Sequence, residues 1–296
     1  MAKAFVKKTA DERKAEAKAL HAKLADSVES LAGSEQWTRW LAFAGSFHRY
    51  SFNNTMLILS QYPDATRVAG FQQWKAKGRS VRKGEKSIKI FGYSKAKVTD
   101  EDANGDEVTR MIARFPILSV FDIGQTDPIE GVEQAEDVTI AERLTGADHA
   151  GIYRTMETYW IEQGWAVERE TIGGEVNGYT TTDGSRHIAV ELNLEPAMAA
   201  KTMLHESGHA TMHVNDEGEA AYVEHRGMAE VEAESVAHVL AGLAGLDTSA
   251  YSVGYVAGWS KGDAKIIRAT AERVLAAVAK LAPVVLGEEA EADKAA

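Results

Sequence analysis

Met203-Leu204-His205-Glu206-Ser207-Gly208-His209-Ala210-Thr211 is the stretch that organises this chain. It contains H-E-x-x-H, two histidines four apart with a glutamate directly after the first. On an α-helix, positions i and i+4 share a face one turn apart, so His205 and His209 address one point. Neutral imidazole nitrogens bind zinc well, and two of them leave room for a third residue and a water. Glu206 sets a carboxylate beside the first ligand, where it can take a proton from that water. Five letters do recur by chance. Two histidines on an otherwise apolar helix are nevertheless poor core filler, and the spacing predicts a metal site.

At 296 residues, with 45% hydrophobic and 26% charged residues, the composition fits two globular domains better than one. No apolar run approaches the roughly 18 residues that span a bilayer. Met1-Ala2-Lys3-Ala4-Phe5-Val6-Lys7-Lys8 carries charges but no apolar segment of a secretory signal, so a cytoplasmic protein with no membrane partner is expected. There is no cysteine, so the metal must be held by histidine and carboxylate. The net charge of −11 hides an asymmetry. Residues 1–125 hold 21 Lys and Arg against 14 Asp and Glu, a net of +7, which leaves −18 for the remainder. Between Arg67 and Lys97 ten basic residues meet one acid, Glu85. Such a run implies a polyanionic partner for the first half.

In that half, apolar residues at three- and four-residue steps predict helices over 10–31, 35–47 and 52–61, with a short one around Phe71–Lys75. Ser87–Tyr93 alternates like a strand, and Val108–Phe121 reads as a longer one. Trp37, Trp40 and Phe47 have core spacing. Tyr50, Asn53 and Asn54 lie at an interhelix turn, where they could meet unstacked bases.

Three stretches then carry a resemblance. Phe47-His48-Arg49-Tyr50-Ser51-Phe52-Asn53-Asn54, Gly70-Phe71-Gln72-Gln73-Trp74 and Gly78-Arg79-Ser80-Val81-Arg82-Lys83-Gly84-Glu85-Lys86 resemble the N-terminal domain of the ArdC-type antirestriction proteins. That family is encoded largely on plasmids and other mobile elements. The resemblance implies an α+β protein of two domains. The first would be helices plus a small antiparallel sheet that binds single-stranded DNA. The second would be a zincin-like metallopeptidase domain related to the ImmA/IrrE type. It also supports Arg67, Trp74, Lys75, Arg82, Lys83 and Lys86 as DNA contacts. The expected boundaries are 1–125 for the DNA-binding domain, 126–140 for an acidic linker, 141–284 for the peptidase domain and 285–296 for an acidic disordered tail.

In the second half a helix is expected over 149–164, then strands over 165–168, 178–181 and 187–192. Asn193 could cap the next helix, Pro196 to about His213, which bears the metal motif. An antiparallel sheet leading into this helix is how zincin-like domains are built, and 187–192, as an edge strand, could align an extended peptide. The third ligand should come from the helix around Met228–Leu240. Helical phase puts Glu232 on the face of Val236, Val239 and Leu243, where a carboxylate is costly without a cation. Its Glu-Ala dipeptide also matches where gluzincin-like families place their ligand. Glu232 is therefore the expected ligand, with Glu234 and then Glu230 behind it. His213 reads as a helix-end histidine favoured by the dipole, or as an outer partner of the site. Tyr251 and Tyr255 read as packing residues, or as donors to a developing oxyanion.

The expectation is Zn²⁺ on His205, His209 and Glu232, with Mn²⁺ or Co²⁺ as alternatives, and Glu206 as the catalytic base. The partners would be single-stranded DNA and, as peptidase substrate, a host restriction or DNA-processing protein. The competing expectation is a non-catalytic module that shields single-stranded DNA and uses the metal structurally or for regulation.

Overall fold

The structure, a computed structural model, describes residues 9–101, 107–132, 149–174, 176–214, 226–246 and 263–287. It is a mixed α+β arrangement of helices and small sheets. The chain divides into two units. Of the described residues, the first takes 9–27 and 56–132, and the second takes 28–55 and those from 149 onward. No described helix is long and apolar enough to cross a membrane.

The first unit contains most of α1 (Ala10–Ser30), whose Leu20 and Leu24 are buried, and the end of α3 (Phe52–Gln61). It continues with β1 (Val68–Gly70), α4 (Phe71–Ala76), β2 (Arg79–Val81), β3 (Ile88–Phe91), β4 (Ser94–Glu101), β5 (Glu107–Arg114), β6 (Ile117–Asp122) and β7 (Thr126–Pro128). Strands β1, β6 and β3 form an antiparallel sheet in that order, and β2–β7 and β4–β5 are two-stranded. The single strand expected over 108–121 is two strands, because Pro116 brings no N–H to the ladder. Register nevertheless carries through the break. Ser94 pairs with Arg114 and Phe91 with Ile117, and between them the Gly92 N–H donates to the Pro116 carbonyl at 2.7 Å. The stretch from Thr126, expected as an acidic linker, opens with β7 paired to β2. Asp122 fixes this region. Its carboxylate accepts from the backbone N–H of Thr66, Arg67 and Gly124 at 2.8–2.9 Å.

The second unit holds α2 (Ser34–Ser46), α5 (His149–Glu162), β8 (Ala166–Glu170), β9 (Gly178–Thr180), β10 (His187–Glu191), α6 (Pro196–Met212), α7 (Arg226–Leu243) and α8 (Ala264–Leu286). Its sheet runs β8-β10-β9, with β8 and β10 parallel and β10 and β9 antiparallel. This corrects two expectations, that the sheet is wholly antiparallel and that 187–192 is its edge. Ile188, Ala189 and Val190 are all buried, the unbroken apolar run of a strand covered on both faces. The edge beside α6 is β9. Asn193 does not cap α6 either. Its amide donates to the Glu191 carboxylate at 3.0 Å, and Glu195 is the residue at the helix entrance, ahead of Pro196.

Two tryptophans hold the helices that matter for the site. Trp37, fully buried on α2, donates its indole N–H to Ser235 Oγ on α7 at 3.1 Å. Trp160 on α5 donates to Ser207 Oγ on α6 at 2.8 Å. The core assignment of Trp37, Trp40 and Phe47 holds, since all three are buried. Helix α8 runs through Pro283 and ends at Gly287, whose φ of 61° is the left-handed conformation that glycine adopts without strain. The acidic residues beyond Gly287 lie outside the described residues, as do Tyr251 and Tyr255.

Candidate metal centre

Helix α6 carries His205 and His209 on one face, and α7 crosses that face at Gly208. A Cβ on Gly208 would lie 2.9 Å from Ala233 Cα, closer than real side-chain carbons approach. Glycine opposite alanine therefore lets the two helix backbones come close enough for side chains to share one point.

That point is defined by three atoms. His205 Nε2 and His209 Nε2 are 3.0 Å apart, and Glu230 Oε2 lies 3.4 Å from the first and 3.7 Å from the second. Ligands about 2.0–2.1 Å from a tetrahedral zinc are separated by about 3.3 Å, so these spacings suit one ion. Both imidazoles present Nε2 because their other nitrogens are engaged. His205 Nδ1 donates to Glu234 Oε2 at 3.0 Å. His213 Nε2 donates to Glu232 Oε2 at 2.9 Å, which leaves His213 Nδ1 to accept from His209 Nδ1 at 3.0 Å. These tautomers are assigned from the hydrogen-bond network. An outer partner on the second nitrogen is how ligating histidines are oriented in metal sites. The donor set and its orientation fit a divalent ion.

Glu232, the expected third ligand, is turned elsewhere. It lies buried, as its helical phase requires, but its carboxylate receives the Arg273 guanidinium and His213. The cation it needs is an arginine. The structure brings Glu230 to the imidazoles instead, and Glu230 keeps 45% of its side chain exposed, on the open side of the site. Glu234, the second candidate, orients His205. His213 sits i+4 from His209, so its place in the network was available from the same spacing that marks the motif itself.

Glu206 is buried on the sheet side. Thr180 Oγ1 of β9 donates to its Oε2 at 2.8 Å, and a Cβ on Gly178 would lie 3.1 Å from its Oε1. That same Cβ would meet Thr202 at 2.6 Å and the Ala189 carbonyl at 2.8 Å, so only glycine allows β9 this close to α6. Thr180 and Gly178 are partners that helical spacing could not reveal. A cleft of about 300 Å³ opens here, lined by Gly178, Met198, Lys201, His205, Glu206 and Glu234 among others.

The electrostatics follow from burial and charge. Burial pushes the Glu206 carboxyl up to about 7, more than the nearby His205 and Thr180 pull it down. Burial opposes a charge on His205, but hydrogen bonds to Glu230 and Glu234 outweigh it and lift the imidazole to about 9. Burial pushes His209 down. Hydrogen bonds to His205 and His209 hold Glu230 far below the usual carboxylate range.

The expected DNA contacts are distributed unevenly. Lys75, Lys83 and Lys86 are exposed in the first unit. Arg82 is exposed too, but its guanidinium bonds Glu85 at 2.9 Å, Asp127 at 3.4 Å and the Gly124 carbonyl. Arg67 is half-buried. Trp74 is a correction. It is fully buried and donates its indole N–H to the Phe121 carbonyl at 2.8 Å, so no base can stack on its ring. Tyr50, Asn53 and Asn54 belong to the second unit and are half-buried, and Asn53 accepts from Arg268 at 2.8 Å.

Against known proteins, residues 14–121 match the model of the N-terminal domain of anti-restriction factor ArdC. That stretch is therefore similar to the N-terminal domain of ArdC. An uncharacterised protein of Bacillus anthracis is 26% identical over 291 residues, covering 88% of this chain and 49% of that protein, so the chain spans about half the length of this relative. Two crystal structures of the antirestriction protein ArdC from plasmid R388 are also similar, each at 19% identity. The metal-free one has a TM-score of 0.47 over 81% of this chain and 86% of the other. The Mn(II)-bound one has a TM-score of 0.44 over 82% and 90%.

Proposed function

We propose that this chain is an antirestriction protein that joins single-stranded-DNA binding, in its ArdC N-terminal domain, to a divalent-metal-dependent peptidase site. The convergence of His205 Nε2, His209 Nε2 and Glu230 Oε2 beside buried Glu206 carries the peptidase part. His205, His209 and Glu230 would hold a divalent ion, zinc by preference for such donors, and the chemistry it would supply there is polarisation of a carbonyl and acidification of a water.

The chain's own groups supply the rest. Glu206 would take a proton from the attacking water on its carboxylate and return it to the leaving amine as the peptide C–N bond breaks. Thr180 holds the carboxylate in place while it does so. Glu234 and His213 engage the Nδ1 atoms of His205 and His209 and so keep both Nε2 atoms turned toward their shared point. β9, at the sheet edge next to Glu206, offers backbone groups along which an extended peptide aligns. The DNA-binding part rests on the ten basic residues between Arg67 and Lys97. DNA held there raises the local concentration of a host restriction or DNA-processing protein acting on the same strand, and that protein is the expected peptidase substrate.

The Glu206→Gln variant separates peptidase action from binding. It should keep its fold, its metal and its DNA affinity, yet fail to protect incoming plasmid DNA in recipient cells. Protection equal to wild type would overturn the peptidase reading and leave a DNA-shielding module.

A further inference from the structure

With Trp74 buried, the first unit's stacking surface must lie elsewhere, and its most exposed aromatics are on the ribbon formed by β3–β4 and β5–β6. The shared register makes Tyr93 and Phe115 cross-strand partners at the break between the two ladders. Their ring centroids are 5.8 Å apart, and they are 55% and 65% exposed. Alternation along the strand assigns the faces. Ile88 and Ile90 are buried on one. Lys89, Phe91, Tyr93, Lys95 and Lys97 fall on the other, with the Phe91 ring partly covered by His21 of α1 at 4.7 Å, so this face places lysines on both sides of the exposed aromatic pair at steps of about 6.7 Å per two residues. Lys89 confirms the assignment, because its Nζ donates to Ser119 Oγ, its cross-strand partner, at 2.7 Å. Lys95 and Lys97 are exposed.

We propose that this ribbon face is a platform for single-stranded nucleic acid, with bases stacked on Tyr93 and Phe115 and phosphates met by Lys89, Lys95 and Lys97. An exposed aromatic pair on its own would suit a protein partner equally well. The lysines on the same face, within a stretch of ten basic residues and one acid, select a polyanion with free ring faces. Duplex DNA keeps its bases stacked on each other and cannot use the pair. The inference rests on the DNA-binding reading and adds the residues that would carry it.

The test uses the full-length chain and a labelled oligothymidylate, read by fluorescence anisotropy over a salt series. Tyr93→Ala with Phe115→Ala should weaken binding by about tenfold or more, with circular dichroism and melting unchanged, because both rings are exposed. Tyr93→Phe should bind like wild type. Lys95→Gln with Lys97→Gln should lower the slope of log affinity against log salt by about 1.4. If wild type binds and the double alanine variant binds equally well, the platform is wrong while the DNA-binding reading stands. If the alanine changes instead convert a dimer to a monomer at unchanged affinity, the face is a self-association surface and the proposal fails. If wild type binds no oligonucleotide, the underlying reading fails first and takes the platform with it.

Discussion

Glu230 and Glu232 stand two residues apart and do different work. Glu232 is 3% exposed at its side chain and is matched by Arg273 and His213, whereas Glu230 faces the two imidazoles from the open side. The rule that a buried carboxylate requires a cation held, but the sequence shows no way to tell an arginine on α8 from an ion. Choosing the most buried glutamate therefore selects the residue bonded to Arg273 and His213 and passes over Glu230, the one that the structure places beside both imidazoles. The titrating residues make a prediction of their own for the metal-free protein. The folded state raises His205 from 6.5 to about 9, so the stability this contributes is full below 6.5 and lost as pH rises through 9. Glu206 is raised from 4.5 to about 7, so its contribution is present below 4.5 and lost as pH rises through 7. Glu230 and Glu234, both lowered, stay ionised across that range and add no slope, while His209 and His238, lowered from 6.5, add a rise that is complete by about pH 7 and does not offset the fall above it. Melts in chelator should therefore show a melting temperature that falls between pH 7 and pH 9. A flat or rising profile would contradict these assignments.

At the scale of elements, two close approaches build the site, β9 onto α6 at Gly178 and α7 onto α6 at Gly208. Gly208→Val would drive a branched side chain into Ala233 backbone atoms that already lie 2.9 Å from a Cβ position. The expected cost is about 1–3 kcal/mol in denaturant titrations, with weaker metal binding as α7 carries Glu230 away. A variant with wild-type stability and metal affinity would show that the helices do not need this contact. Most of the elements were legible, because a helix with a buried face and a strand with alternating or continuous apolar residues leave local signals. Their pairing was not. Ile188-Ala189-Val190 shows that a strand is buried, but its parallel match to β8 depends on a connection that no local pattern encodes. Pro116 was visible in the sequence as a ladder breaker, yet an apolar run on both sides of it read as one strand.

For the molecule as a whole, charge asymmetry indicated a basic first half, and the family resemblance implied an α+β chain whose second half carries the H-E-x-x-H motif. What periodicity leaves open is which core a helix joins. Trp37 marks the buried side of α2 in any fold, and only its bond to Ser235 shows that α2 belongs with α7. The central claim is that His205, His209 and Glu230 together hold one divalent ion. Its most direct test is metal content and affinity of the full-length protein, measured by plasma mass spectrometry and calorimetry for wild type, Glu230→Gln and Glu232→Gln. Wild type should bind one ion per chain. Glu230→Gln should lose it, while Glu232→Gln should retain it with an affinity reduced by about 10–100-fold, as expected for a residue acting through His213 and His209. A Glu230→Gln protein that binds like wild type, beside a Glu232→Gln protein that binds nothing, would contradict the account.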